Sequence, residues 1–194
     1  MSGMSYILVR KKIKPYNKKI IMEGDKSLSI RWALISSQSF TKCRSSNLLM
    51  SEDVINTLNC LKKLGVKIRL TKNFCEIDGV GLNGFNYKKK LLLNAGNSGT
   101  LSRLIMGLLV HAKNNIKLTG DKSLSKRDFF RVTEPLEKFG AKYFTNFGKL
   151  PIIIKGTNTP LPINYRETRG SAQCKSAVML AALNTKGETI IKAK

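Results

Sequence analysis

Gly99-Thr100-Leu101-Ser102-Arg103-Leu104-Ile105-Met106 is the stretch on which the fold turns. Small and hydroxyl residues come first, then a cation, then an apolar run. That is the pattern of a helix N-terminus entering a core. The same design occurs twice more. Ser27-Leu28-Ser29-Ile30-Arg31 runs into Trp32-Ala33-Leu34-Ile35, and Ser171-Ala172-Gln173-Cys174-Lys175 runs into Ser176-Ala177-Val178-Met179-Leu180. Arg31, Arg103 and Lys175 are evenly spaced, 72 residues from each to the next. Self-similarity at a fixed spacing marks an internal repeat.

A second feature repeats behind the first two starts. Ser51-Glu52-Asp53 opens a stretch with Val54, Ile55, Leu58, Leu61 and Leu64 at helical spacing, acidic in its first turn and closed by Gly65. Its counterpart runs from about Lys126 through Val132, Leu136 and Phe139 to Gly140. Strand-like runs follow each glycine: Lys67-Ile68-Arg69-Leu70 and Phe74-Cys75-Glu76-Ile77, then Lys142-Tyr143-Phe144 and Pro151-Ile152-Ile153-Ile154. The unit is helix, strand, helix, strand, strand. The repeats fall at about 24–84, 85–156 and 157–194, the last incomplete. The expected fold class is α+β grading into α/β, with parallel helices beneath mixed sheets and the three helix starts on one face. Residues 1–21 stand outside the repeat and read as a strand, Tyr6-Ile7-Leu8-Val9, and a basic connector through Pro15.

Composition narrows the function. With 42% hydrophobic residues in 194, the chain has ample core and is not disordered. Cys43, Cys60, Cys75 and Cys174 stand far apart without a CxxC pair, and His111 is the only histidine. These exclude a structural zinc site and a histidine-based triad, and no metal is expected. Scattered cysteines read as reduced thiols in a cytoplasm. The apolar run 104–110 falls far short of the ~18 residues that span a bilayer. The N-terminal apolar run precedes its basic block, the reverse of a signal peptide. The charge of +23 favours anionic partners: nucleic acid, anionic lipid or phosphorylated metabolites. Much of it is Lys spread along the chain, as in Lys11-Lys12 and Lys88-Lys89-Lys90, whereas a nucleic-acid footprint is clustered.

The repeated starts suit small anions. A helix N-terminus presents free N–H groups and the positive end of its dipole, where phosphates and carboxylates bind. Lys26, Ser27, Ser29 and Arg31 cluster at the first start, Asn97, Ser98, Gly99, Thr100 and Arg103 at the second, and Ser171, Gln173 and Lys175 at the third. Gly99 lets a ligand approach the backbone. The competing reading makes Ser27, Thr100 and Ser171 simple N-caps.

The motifs resemble those of 5-enolpyruvylshikimate-3-phosphate synthase over nearly the whole chain and in the family's order. Gly24-Asp25-Lys26-Ser27-Leu28-Ser29-Ile30-Arg31 is similar to its first substrate motif, and Leu93-Asn94-Ala95-Gly96-Asn97-Ser98-Gly99-Thr100 with Arg103 to its second. Gly120-Asp121 through Ser123-Leu124 to Arg127, with Glu134-Pro135-Leu136 and Phe139-Gly140-Ala141, resembles the third, and Ser171-Ala172-Gln173-Cys174-Lys175-Ser176-Ala177 the fourth. The resemblance implies an enolpyruvyl transferase-like lobe. It also implies transfer of the enolpyruvyl group of phosphoenolpyruvate to the 5-hydroxyl of shikimate 3-phosphate, in chorismate and aromatic amino-acid synthesis, without cofactor. It implies two lobes with substrates between them and a monomer when complete. Residues 1–21 then lead toward the second lobe, which the sequence lacks, and residues 22–194 form the substrate-binding one.

By position, the resemblance assigns Lys26, Ser27, Arg31, Ser171, Ala172 and Gln173 to shikimate 3-phosphate. Lys26, Gly99, Arg127 and Gln173 go to phosphoenolpyruvate, with Lys26 as the catalytic cation and Asn97, Ser98, Thr100 and Arg103 in support. Gly99, bearing no methyl, is permissive for glyphosate as an inhibitor in the phosphoenolpyruvate site. Asp128 follows Arg127 where the family usually has proline, and an Asp128–Arg127 pair would weaken that guanidinium's grip. Ile30 and Trp32 replace smaller or more polar neighbours of Arg31. The family's acid-base carboxylates belong to the second lobe, so the chain is expected to be a fragment, inactive alone. His111 is expected to cap a helix or lie at the surface. The related transferase acting on UDP-N-acetylglucosamine reads Lys-Asn where this chain has Lys26-Ser27 and usually carries a loop cysteine that has no match here. A basic nucleic-acid module is the other alternative, yet no RNP, KH or zinc-finger signature appears and aromatics are 7%. The expected partners are therefore two small phosphorylated substrates, with no nucleic acid and no membrane.

Overall fold

The computed structural model describes residue 17 and residues 22–193. The expected strand at Tyr6-Ile7-Leu8-Val9 and its connector lie outside the described residues. The elements run α1 (Lys26–Ser36), β1 (Lys42–Ser45), α2 (Glu52–Lys63), β2 (Lys67–Leu70), β3 (Cys75–Asp78), β4 (Leu91–Asn94) and α3 (Gly99–Leu108). A 3-10 turn at Leu109–His111 leads to β5 (Ile116–Thr119), α4 (Lys122–Ser125), α5 (Phe130–Glu137), β6 (Lys142–Asn146) and β7 (Lys149–Lys155). β8 (Asn164–Glu167), α6 (Ala172–Leu183) and β9 (Ile190–Ala193) follow.

The sheets repeat one topology. β1, β3 and β2 form a sheet in that order, and β5, β7 and β6 repeat it with β4 added parallel to β5. β8 pairs parallel with β9 as β4 does with β5. β4–α3–β5 and β8–α6–β9 are thus each a strand, a helix and a parallel strand, the first continued by α4, α5 and the hairpin β6–β7. The opening strands β4 and β8 are absent from the unit read in the sequence. β4 is short and β8, Asn-Tyr-Arg-Glu, has no apolar alternation to announce it. The expected second-unit helix from Lys126 is also corrected. The chain makes α4, leaves the helix at 126–129, and re-enters as α5. Asp121 starts α4 by accepting the Leu124 amide at 2.7 Å, and Asp128 accepts the Phe130 amide at 2.9 Å, so two short helices replace one.

α3 is the centre of the lobe. All ten of its residues are buried, Ser102 and Arg103 included. A helix apolar on every side packs against neighbours all round, and α1, α2, α5 and α6 surround this one. β7 alternates, with Leu150, Ile152 and Ile154 inward and Lys149, Ile153 and Lys155 outward. Gly107 permits the closest helix contact: a methyl there would fall 2.1 Å from the Ala177 carbonyl oxygen of α6.

The helices α1, α3 and α6 start at Lys26, Gly99 and Ala172 behind caps Asp25, Ser98 and Ser171, and these caps are 73 residues apart. The cations are 72 apart, so Arg31, Arg103 and Lys175 sit six, five and four residues past their caps. Each step rotates the side chain by ~100°. The cations therefore point to different neighbours, while Ser27, Thr100 and Gln173 hold equivalent places two residues past the caps. Of the three hydroxyls read as possible caps, only Ser171 is one.

Candidate functional site

The starts of α3 and α6 meet, and α1 reaches α6 from its second turn. Gln173, in the first turn of α6, donates from its amide to the Thr100 hydroxyl at 3.0 Å and accepts from Arg103 Nη1 at 2.8 Å. Arg31, in the second turn of α1, donates to the Ser176 hydroxyl at 3.3 Å. At the other end the Asn184 amide of the α6 cap donates to Gln38, just beyond α1, at 3.3 Å. Contacts at both ends make α1 and α6 parallel, and the Gln173–Thr100 bond joins the start of α3 to that of α6.

Gly99 is where two guanidinium groups converge. A β-carbon there would lie 2.8 Å from Nη1 of both Arg103 and Arg127. The two cations have different supports. Arg103 is 7% exposed, lies over the Phe129 ring at 5.2 Å, and also reaches the carbonyls of Gly99 and Asp128 at 3.4 and 3.5 Å. Its Nε is buried without a partner. Burial, with Arg131 and Arg127 nearby, lowers its pKa from the ordinary arginine value. Arg127 is exposed and donates to the Asn97 carbonyl oxygen at 2.9 Å, while the Asn97 amide donates to Asp121 at 2.5 Å. The Leu124 amide and Asn97 hold the Asp121 carboxyl below the usual range.

The feared Asp128–Arg127 pair does not form among the described residues. Asp128 turns to the Phe130 amide, and Arg127 is held by the neutral carboxamide of Asn97. Arg31 and Arg103 are likewise met by hydroxyl, amide and carbonyl groups rather than carboxylates. Cations held in place but not neutralised retain their attraction for an anion.

Lys26 differs. Its ammonium lies 3.2 Å from the Asp53 carboxylate in the first turn of α2, half-exposed. The sequence explained Asp53 as a favourable charge at a helix start, and that hid the pairing. Ser27 is partly exposed and its carbonyl receives Arg31 Nη1 at 3.3 Å. Ser98 is fully buried and caps α3 through the Leu101 amide at 3.2 Å. Ser171 caps α6 through the Cys174 amide at 3.3 Å, leaving Ala172 exposed beside it. Lys175 takes no part in the hydrogen bonds among the starts. His111 is corrected: it is half-buried in the 3-10 turn with Nε2 buried and unpartnered, and burial lowers its pKa. Among the described residues no His, Cys, Asp and Glu cluster could hold a metal, and no helix is long and apolar enough to cross a membrane.

Arg31, Arg103 and Arg127 thus lie near helix N-termini without a carboxylate hydrogen-bond partner among the described residues. The sequence profile of EPSP synthase (3-phosphoshikimate 1-carboxyvinyltransferase) matches residues 10–194. The chain belongs to the EPSP synthase family. It is 45% identical over 184 residues to the 3-phosphoshikimate 1-carboxyvinyltransferase of Ruthia magnifica subsp. Calyptogena magnifica, covering 93% of this chain and 42% of that one. It is 39% identical over 179 residues to that of Paracoccus denitrificans, covering 91% and 40%. The crystal structure of EPSP synthase from Acinetobacter baumannii superposes with a TM-score of 0.84 at 35% identity, over 90% of this chain and 40% of that one. The chain spans about 40% of the length of the curated relatives it matches.

Proposed function

We propose that this lobe binds shikimate 3-phosphate and phosphoenolpyruvate for transfer of the enolpyruvyl group to the shikimate 5-hydroxyl with release of phosphate. Lys26, Ser27, Arg31, Ser171, Ala172 and Gln173 hold shikimate 3-phosphate. Lys26, Gly99, Arg127 and Gln173 hold phosphoenolpyruvate. What supports this reading is the convergence of two guanidinium groups on the bare backbone of Gly99, at the meeting of helix starts. Two substrates with phosphate and carboxylate charges need such fixed cations to lie side by side.

In the reaction the 5-hydroxyl gives its proton to a base as its oxygen bonds to C2 of phosphoenolpyruvate, and an acid delivers a proton to the methylene carbon. The C2–O bond to phosphate then breaks and the added proton leaves. Lys26, shared by both substrates, is the catalytic cation; binding frees it from Asp53. Arg103, Asn97, Ser98 and Thr100 support the contact residues by the bonds described. Acid-base groups come from a further part of the protein, so the 194 residues alone bind without turning over. The complete protein acts as a monomer. The four free thiols suit a reducing cytoplasm.

Phosphate release, measured on the chain alone and joined to the C-terminal part of a relative, tests this reading. Release is expected from the joined protein only; sustained substrate-dependent release by the chain alone overturns the division of labour. Arg31→Ala is expected to weaken shikimate 3-phosphate binding to the chain by about 1.5–3 kcal/mol, the range for a charged hydrogen bond, as read by calorimetry. Gly99→Ala is expected to push Arg127 from Asn97 and raise the KM for phosphoenolpyruvate in the joined protein roughly tenfold, with little change for shikimate 3-phosphate. Glyphosate, if it takes the same subsite, loses affinity with it.

A further inference from the structure

Glu167 ends β8 and is 1% exposed, yet none of the assigned substrate contacts includes it. A carboxylate this deep must be matched by donors. The Tyr165 hydroxyl donates to its Oε2 at 2.6 Å and the Arg169 amide to its Oε1 at 2.7 Å. Burial alone would push the carboxyl up; these donors and the charge of Arg131 outweigh it and hold it below the usual range. One of the donors is a backbone amide two residues downstream. The carboxylate thus gathers the chain between β8 and α6 around itself, with Gly170 turning at φ +65°.

We propose that Glu167 is a positioning residue that sets the turn before α6 so that the Ala172 and Gln173 amides face an oxyanion. The anion's identity as the 3-phosphate rests on the function proposed above. With the Arg169 amide held by Glu167 and Gly170 turning the chain, the Ser171 hydroxyl caps Cys174. Ala172 and Gln173 then supply the first N–H groups of the helix, which have no intrahelical acceptor. The same turn aims the Gln173 side chain at Arg103 and Thr100. The nearby Arg169–Glu134 pair is about half-exposed at 3.3 Å, and such pairs contribute little.

The test uses the 194-residue chain and Glu167→Gln, which keeps the shape but turns an N–H toward a donor. Amide hydrogen exchange is measured without ligand, and shikimate 3-phosphate binding by calorimetry. We expect faster exchange confined to residues 168–173 and affinity lowered roughly tenfold. Glu167→Asp should restore part of both, as a purely space-filling role would not. Should Glu167→Gln fail to fold, Tyr165→Phe removes one donor and should give the same pattern more weakly. Unchanged exchange at 168–173, or faster exchange with unchanged affinity, overturns the proposal. Faster exchange in a chain whose unsubstituted form binds no shikimate 3-phosphate supports the positioning and overturns the substrate reading instead.

Discussion

Lys26→Met in the chain joined to the C-terminal part of a relative lowers turnover by at least ~10²–10³-fold, while the melting transition stays within a few degrees. Removing one preorganised charge from a site of developing charge costs about this much in kcat. Lys26 is half-exposed and, among the described residues, its one ion pair is with Asp53, so the fold loses little. On the proposed function both substrates meet this ammonium, so the loss should appear in kcat and in both KM values. Phosphate release under saturating substrates checks it; activity within tenfold of the unsubstituted protein contradicts the role given to Lys26.

Gly107→Ala has the largest expected effect on stability. The added methyl meets the Ala177 carbonyl oxygen at 2.1 Å, and backbone cannot swing aside as a side chain does. α3 and α6 must part, and α3 is enclosed on every side. Overpacking of this kind costs about 1–3 kcal/mol, or a Tm lower by roughly 2–12 °C for a chain of this size. The Gln173 bonds to Arg103 and Thr100 cross the same helix pair. Shikimate 3-phosphate affinity should therefore fall along with Tm, which thermal melts and calorimetry together report. An unchanged Tm would show that the helices have slack that this packing denies.

The repeat was legible because it rests on local chemistry. Hydroxyl or small residues before a cation and an apolar run announce α1, α3 and α6 wherever they lie. The one-residue difference between the spacing of the caps and that of the cations was not. Asp25 differs in type from Ser98 and Ser171, and the cations Arg31, Arg103 and Lys175 carry the more visible spacing. The proposed contact residues and the supports Asn97, Ser98, Thr100 and Arg103 were named by motif, but the partners of the neighbouring acids were not. Asp53 looks like any acid in a first turn until the chain brings Lys26 to it. Asp128 beside Arg127 suggests a pair, and only the break between α4 and α5 gives its carboxylate an amide to accept. Glu167 lies in a strand with no pattern, and its burial depends on the lobe closing around it.

Calorimetry of the 194-residue chain with shikimate 3-phosphate and with shikimate tests the central claim most directly: that the joined helix starts are an anion site built for the phosphate. Measurable binding of shikimate 3-phosphate, at least tenfold tighter than shikimate and weakening as salt rises, is the expected result. Equal affinity for the two ligands would contradict it.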